Sequence, residues 1–414
     1  MTADPSSPDP GRSVVPGGGS IRWRVPVLGF LVVFLDGFAG VTLNVVVPTL
    51  VREWGVDAAG FTLPLVLTAA GTVAGYLGSG WASARLGRRA VILAGTVVVA
   101  AGSAWAATTA TLPVLSATRL LTGLGLGLIV PPMTSLAVDH GPLRRREMIT
   151  AIVSLGLGVG PTVAGSTAGG LIRSFGWESV LWVAAALPVL LLPVLWWGVR
   201  EPAGSGHRKR GRDTASVRLL FARGRRSVTL LLWAISLLVI TSIGVVTTWA
   251  PVLLVDYGTS PAGAPAGIAA FGLGGTIGGA ILVLVTTRFR AADAIVVTAA
   301  IGALFLLVIA QARPGGIGLL ALLGGVGLCL IATVNGLTAA AVSRYSAPLQ
   351  TTAVGWTIAL GRFGGIIGPA YGGALAALQF PSSRIVLGTC AIMAVTALLN
   401  AVLAVNVRRS RTPA

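Results

Sequence analysis

Charge is scarce in this chain. Only 10% of its 414 residues are Asp, Glu, Lys or Arg, against roughly 25% in a soluble domain, which excludes an ordinary water-facing globule. Acids are scarcer still: 12 Asp and Glu stand against 30 Lys and Arg, for a net charge of +18, and Lys209 is the single lysine. Cysteine and histidine are nearly absent. Cys329 and Cys390 both sit inside apolar runs, so no disulfide framework is expected. His140 and His207 lie in hydrophilic segments, so no His/Cys metal cluster can be assembled. No short apolar stretch with a small-residue cleavage site precedes the first long apolar run, and no cleaved leader is expected.

What remains is apolar: 54% of the residues are hydrophobic and the mean hydropathy is +0.88. The apolar residues fall into twelve runs, 26–50, 60–83, 90–110, 113–137, 148–171, 179–198, 228–254, 264–286, 294–311, 315–341, 352–378 and 384–406. Each is about the 20 residues that a bilayer-spanning helix needs. Gly, Pro or charge marks the breaks, as at Arg85–Arg89 and Pro142–Arg146. The longest polar stretch, Val199 to Arg226, divides the chain into six spans plus six.

The arginines sort by side. With a cytoplasmic N-terminus, the inner loops hold Arg85, Arg88, Arg89, Arg144, Arg145, Arg146, Arg288, Arg290 and Arg344, while the outer loops keep only Arg52, Arg173, Arg313 and Arg384. The central linker and the tail add a further dense cationic cluster on the inner side. That bias places both termini in the cytoplasm and the protein in the cell membrane as a multi-pass chain. It also accounts for a basic balance that in a soluble protein would point to nucleic acid; none is expected as a partner. The basic linker could also touch anionic lipid.

Two halves are related. Gly160-Pro161-Thr162-Val163-Ala164-Gly165 in span five returns 208 positions later as Gly368-Pro369-Ala370-Tyr371-Gly372-Gly373 in span eleven. Gly71-Thr72-Val73-Ala74-Gly75 in span two has a counterpart in Gly275-Thr276-Ile277-Gly278-Gly279 of span eight. Together these predict an all-α membrane protein of twelve transmembrane helices in two pseudo-symmetric six-helix bundles, with a site between them. The expected divisions are a disordered N-terminus (1–24), an N-terminal bundle (25–198), a basic linker (199–226), a C-terminal bundle (227–407) and a tail (408–414).

Three charges lie well inside spans: Asp36 in span one, Arg119 in span four and Arg362 in span eleven. A carboxylate at bilayer depth costs at least ~2.5 kcal/mol, and such a residue usually faces a polar cavity. One reading is that the three charges neutralise one another and hold helices together. The other is functional. A guanidinium presents a planar fork to a carboxylate, and a poorly solvated aspartate beside it can take up and release a proton. An anion arriving at the arginine competes for its charge and favours protonation of the aspartate, which links anion to proton. Asp36 is then the proton-coupling group and Arg362 and Arg119 bind substrate. Phe38 and Trp356 sit deep enough to stack on an aromatic substrate, with core packing as the plainer alternative. Span four carries Gly123, Gly125 and Gly127 before Pro131-Pro132, which fits close packing, a flexing helix, or both.

The loop Gly80-Trp81-Ala82-Ser83-Ala84-Arg85-Leu86-Gly87-Arg88-Arg89 resembles the signature loop of the major facilitator superfamily, Gly-x-Leu-Ala-Asp-Arg-x-Gly-Arg-Arg/Lys, with Ala84 in the acidic position. Asp139, ahead of Gly141-Pro142-Leu143-Arg144, matches the acid that precedes a second loop of that superfamily. Within it the chain most resembles the aromatic acid:proton symporters. Their span-one Asp-Gly-Phe-Asp reads Asp36-Gly37-Phe38-Ala39 here. Their late run is kept in Tyr345, Val354-Gly355-Trp356, Gly361-Arg362-Phe363-Gly364 and Gly368-Pro369. Ala39, Gln350 and Ala353 depart from the pattern. The resemblance implies uptake of a small aromatic carboxylate by proton symport, with the proton gradient as energy source, no cofactor, and a monomer in the lipid bilayer. It makes Gly80, Arg85, Gly87, Arg88, Arg89, Asp139 and Arg144 gating residues. The alternative is a proton-antiport exporter of drug-like or secondary-metabolite molecules. An enzyme would need a nucleophile, base or metal cluster in the spans, and the sequence offers none.

Overall fold

The computed structural model describes residues 23–139, 149, 152–199, 217–222, 225–286, 288–345 and 347–409. Among them run twelve helices of 20 residues or more. In the N-terminal half they are α1 (Arg24–Trp54), α2 (Thr62–Leu86), α3 (Arg88–Ala107), α4 (Leu112–Asp139), α5 (Gly156–Phe175) and α6 (Glu178–Gly198). In the C-terminal half they are α7 (Arg226–Asp256), α8 (Ala266–Thr286), α9 (Ala291–Ala312), α10 (Gly316–Arg344), α11 (Ala347–Ala377) and α12 (Ser382–Arg409). Eleven are long and apolar enough to cross a membrane; α11, diluted by Arg362 and its glycines, is the twelfth. Most helix ends lie within about a turn of the ends of the apolar runs, but α5 begins at Gly156 rather than 148. α11 begins at Ala347 rather than 352 because a helix propagates through polar residues such as Gln350 once packing holds it.

The halves repeat one packing scheme. α1 lies on α5, α2 on α4 and α3 on α6; α7 lies on α11, α8 on α10 and α9 on α12. Glycine makes the close crossings possible, as small residues do between membrane helices. A Cβ on Gly160 of α5 would meet the backbone of Phe34 and Phe38 on α1, and one on Gly368 of α11 would meet the backbone of Thr241 and Gly244 on α7. The repeated glycine therefore does the same work in each half. In the second repeat the register differs by one: Gly274 and Gly278 of α8 approach the α10 backbone, as Gly71 and Gly75 of α2 approach α4.

On the other side of the α2–α4 crossing, a Cβ on Gly127 would collide with the Thr72 carbonyl, whereas one on Gly80 meets nothing within 4 Å. Gly127→Val is expected to cost about 1–3 kcal/mol or more, the range for overpacking, and to cut the yield of membrane-embedded protein. Gly80→Ala should hold or slightly raise the thermal unfolding midpoint, since Ala improves on Gly in a helix by about 1 kcal/mol. Equal tolerance of the two changes would show that the crossing is not tight.

The two ends of the bundle differ. One apolar core joins both halves at the end away from the described termini. It contains Leu43, Leu50 and Phe61 of the first half together with Val246, Leu254 and Phe271 of the second. There Asn44 of α1 donates to the Thr247 carbonyl of α7 at 3.0 Å, and Gly373 of α11 sits against Thr62 at the start of α2. At the end that carries Trp23 and Asn406 each half has its own core, around Leu35, Ile129 and Leu136 in one and Leu232, Leu337 and Leu403 in the other. Among the described residues the halves thus share one apolar core at one end and have separate cores at the other. The outer faces are apolar, with residues such as Leu77, Leu190, Leu284 and Ile317 exposed, as a surface in contact with hydrocarbon should be.

Candidate functional site

Asp36 lies midway along α1 and is only 7% exposed. Among the described residues, the charged group near enough to act on it electrostatically is Arg362, from the middle of α11 in the opposite half. Tyr76 of α2 completes the group. Arg362 Nη2 donates to the Tyr76 hydroxyl at 2.7 Å, and the guanidinium carbon lies 4.3 Å from the centroid of the phenol ring. Both Asp36 and Arg362 are close enough to Tyr76 to influence it electrostatically. Tyr76 and Arg362 are half-buried. The phenol and the guanidinium therefore meet between the halves, with the Asp36 carboxylate near enough to feel the guanidinium's charge. The fork can take an anion, and the carboxylate can hold a proton.

Arg119 is elsewhere. It is wholly buried inside the N-terminal half. Its Nε donates to Thr68 Oγ1 at 3.3 Å, Nη1 to Thr42 Oγ1 at 3.4 Å and Nη2 to the Ala39 carbonyl at 3.1 Å. The Thr42 and Thr68 hydroxyls pass their own protons to the carbonyls of Ala39 and Pro64, both at 2.8 Å, which leaves lone pairs for the arginine. Arg119 thus ties α4 to α1 and α2, one turn along α1 from Asp36. Its partner at position 39 is a backbone carbonyl, at the place where the aromatic acid symporters carry a second acid. The expectation that Arg119 shares a cavity with Asp36 and Arg362 is not what this packing provides.

The two aromatic candidates separate as well. Phe38 is 2% exposed and packs in the shared core, its ring centroid 6.0 Å from that of Phe34. Trp356 is 42% exposed and stacks on Trp233 of α7 at 5.9 Å, with Phe221 edge-on to Trp233 at 5.2 Å. It belongs to an aromatic tier within the C-terminal half.

Of the gating candidates, Gly87 occupies φ 84°, ψ 151° between α2 and α3, a region essentially reserved for glycine. Gly80 lies inside α2, so the turn of the signature loop is made by Gly87 alone. Arg85 stacks over Trp81 at 4.3 Å. Arg89 Nη2 donates to the Trp196 carbonyl at 2.6 Å and the guanidinium sits 4.8 Å from that indole, fastening the start of α3 to the end of α6. Arg88 is half-buried at the first position of α3. Asp139 ends α4, with its side chain outside the described residues, and Arg144 lies outside them altogether.

Sequence reasoning missed Tyr76, Thr42 and Thr68. The chain has only 4 tyrosines, and a phenol in the middle of an apolar span calls for a hydrogen-bond partner. That was the available signal.

The family model described as Major Facilitator Superfamily matches residues 29–369. The "Gallate transporter" of Pseudomonas putida is 30% identical over 412 residues, covering 91% of this chain and 91% of that protein. The "4-hydroxybenzoate transporter PcaK" of Pseudomonas aeruginosa is 30% identical, covering 86% of this chain and 87% of its own. Among solved structures, a bacterial homologue of the human lysosomal transporter Spinster, in an inward-facing and occupied conformation, superposes with a TM-score of 0.75 over 96% of this chain and 100% of that one, at 17% identity.

Proposed function

The chain belongs to the Major Facilitator Superfamily, and we propose that it is a secondary active transporter that takes up a small aromatic carboxylate together with a proton by alternating access. The observation that carries this reading is the Arg362–Tyr76 contact across the two halves, with Asp36 near enough to feel the guanidinium's charge. A guanidinium is permanently charged and recognises a carboxylate by its planar fork. When a substrate anion takes that fork, it offsets the positive charge that Asp36 feels, and Asp36 binds a proton more readily; by reciprocity a protonated Asp36 leaves the guanidinium's charge to the anion. Because the two groups stand on different halves, loading alters the contact between the halves that must rearrange.

The relatives named for gallate and 4-hydroxybenzoate support an aromatic acid as the cargo. With the termini in the cytoplasm, as the arginine distribution predicts, the separate cores of the two halves lie on the cytoplasmic side, which supports an inward-facing carrier. The transporter works in the cell membrane as a monomer, with the proton gradient as its energy source and no resident cofactor.

Uptake of labelled 4-hydroxybenzoate and related acids into cells expressing the protein tests the reading. Uptake should rise as external pH falls and collapse with an uncoupler. For one proton per monovalent anion the steady-state accumulation should grow by about tenfold per unit of pH difference, since one unit is 1.36 kcal/mol. No uptake, with resistance to or efflux of drug-like molecules instead, would favour a proton-antiport exporter.

A further inference from the structure

Arg362 has an unusual holder for a cation inside a membrane span. Its described hydrogen-bond partner is a neutral phenol rather than a carboxylate, and that phenol also covers one face of the guanidinium. The distinction matters chemically. A carboxylate would fix the fork and neutralise it, so a substrate anion would have to displace a charge. A phenol fixes the fork and leaves its charge in place. It occupies one of five N–H donors and leaves four, enough for a bidentate carboxylate. The phenol comes from α2 and the arginine from α11, so the hold spans the two halves.

We propose that Tyr76 is the positioning residue for the substrate anion: it pins the Arg362 guanidinium from the opposite half, through its hydroxyl and its ring, with the remaining donors turned toward the carboxylate's binding place. This rests on the transport reading above and adds a residue to it. Asp36 adjusts the charge balance of the site, Arg362 binds the anion, and Tyr76 sets the orientation of the fork. Pre-organisation of this kind lowers the entropy lost when the anion binds. Its absence therefore appears in affinity rather than in turnover.

The test compares wild type, Tyr76→Phe and Tyr76→Leu for uptake of labelled 4-hydroxybenzoate, normalised to membrane-embedded protein. A hydrogen bond to a charged group is among the stronger kinds, and its loss in Tyr76→Phe should raise KM about tenfold with the maximal rate within about twofold. Tyr76→Leu, which also removes the stacked ring, should raise KM further, by about 100-fold. A second measurement needs no substrate. Thermal unfolding of the purified protein is followed for Tyr76→Phe, Arg362→Lys and the double variant. The single shifts should fail to add, because the two changes remove one shared contact.

Additive shifts would show that the contact is absent from the empty protein and would overturn the proposal. So would an unchanged KM in Tyr76→Phe, or a loss of maximal rate alone, which would make Tyr76 a packing residue. A wild type that takes up no benzoate-class acid would instead overturn the transport reading, and the unfolding cycle would still report on the pin.

Discussion

The Asp36→Asn protein is expected to reach the membrane, to bind its aromatic acid, and to lose proton-driven accumulation altogether. The exchange is nearly isosteric, and it removes a burial cost rather than adding one, since a carboxylate at bilayer depth is worth at least ~2.5 kcal/mol of insertion penalty. Folding should therefore survive. What disappears is the group that carries the proton. Among the described residues nothing stands ready to replace it. The other described acids lie at helix ends or in turns: Glu53 and Asp256 close α1 and α7, Asp57 lies between helices, Glu178 and Asp293 sit in first turns, and Asp139 ends α4. Position 39, one turn from Asp36, holds an alanine. Wild-type accumulation should scale by about tenfold per unit of pH difference, whereas the variant should only equilibrate its substrate, at a rate independent of external pH. Exchange of labelled for unlabelled substrate across the membrane needs no net proton movement and should persist. Retained, pH-dependent accumulation in Asp36→Asn would mean that the proton travels elsewhere.

Much of the fold was legible because its determinants are local. Twelve apolar runs, broken by Gly, Pro and Arg, became twelve helices, with most ends displaced by a few residues and the start of α5 by two turns. The Gly160/Gly368 repeat was readable because the crossings of α5 on α1 and α11 on α7 both require a residue without a Cβ, and a requirement of that kind leaves its mark on the residue itself. The site was legible only in part. Asp36, Arg119 and Arg362 announce themselves by the cost of burying charge, but that cost is the same whether the partner is a substrate or a neighbouring helix. Arg119 is surrounded by hydroxyls and a carbonyl from its own half, whereas Arg362 reaches across to the other. Nothing in the sequence distinguishes those surroundings, because they depend on which helix faces are brought together. Tyr76 was passed over for the same reason: its meaning comes from a residue 286 positions away. Phe38 and Trp356 shared the depth expected of a substrate shelf. Depth alone could not show that one closes the shared core and the other stacks on Trp233.

Arg362→Gln should be the most damaging single change to substrate binding. The guanidinium brings three things to the space between the halves: a permanent charge, a planar fork and a surface that lies on the Tyr76 ring. Glutamine is of comparable length and can still donate to the Tyr76 hydroxyl, so helix packing need not fail, but the charge and the fork are gone. Removing one partner of a desolvated charge pair costs about 2–5 kcal/mol, much of it from the charge left without its counter-ion. Every 1.4 kcal/mol is tenfold, so KM should rise by about 100-fold or more. A second effect runs the other way along the same linkage. Without Arg362, the charge through which Asp36 feels the arriving anion is gone, so Asp36 should stop responding to substrate. Uptake measured at high substrate concentration should then lose its dependence on external pH, and raising substrate should not restore it. Arg362→Lys separates the contributions. It keeps the charge near Asp36 and loses the bidentate geometry, so the pH dependence should return while KM stays elevated. If Arg362→Gln left KM within about threefold of wild type, the anion would have to bind elsewhere, and the fully buried Arg119 would then need a conformation in which α1 and α2 release it.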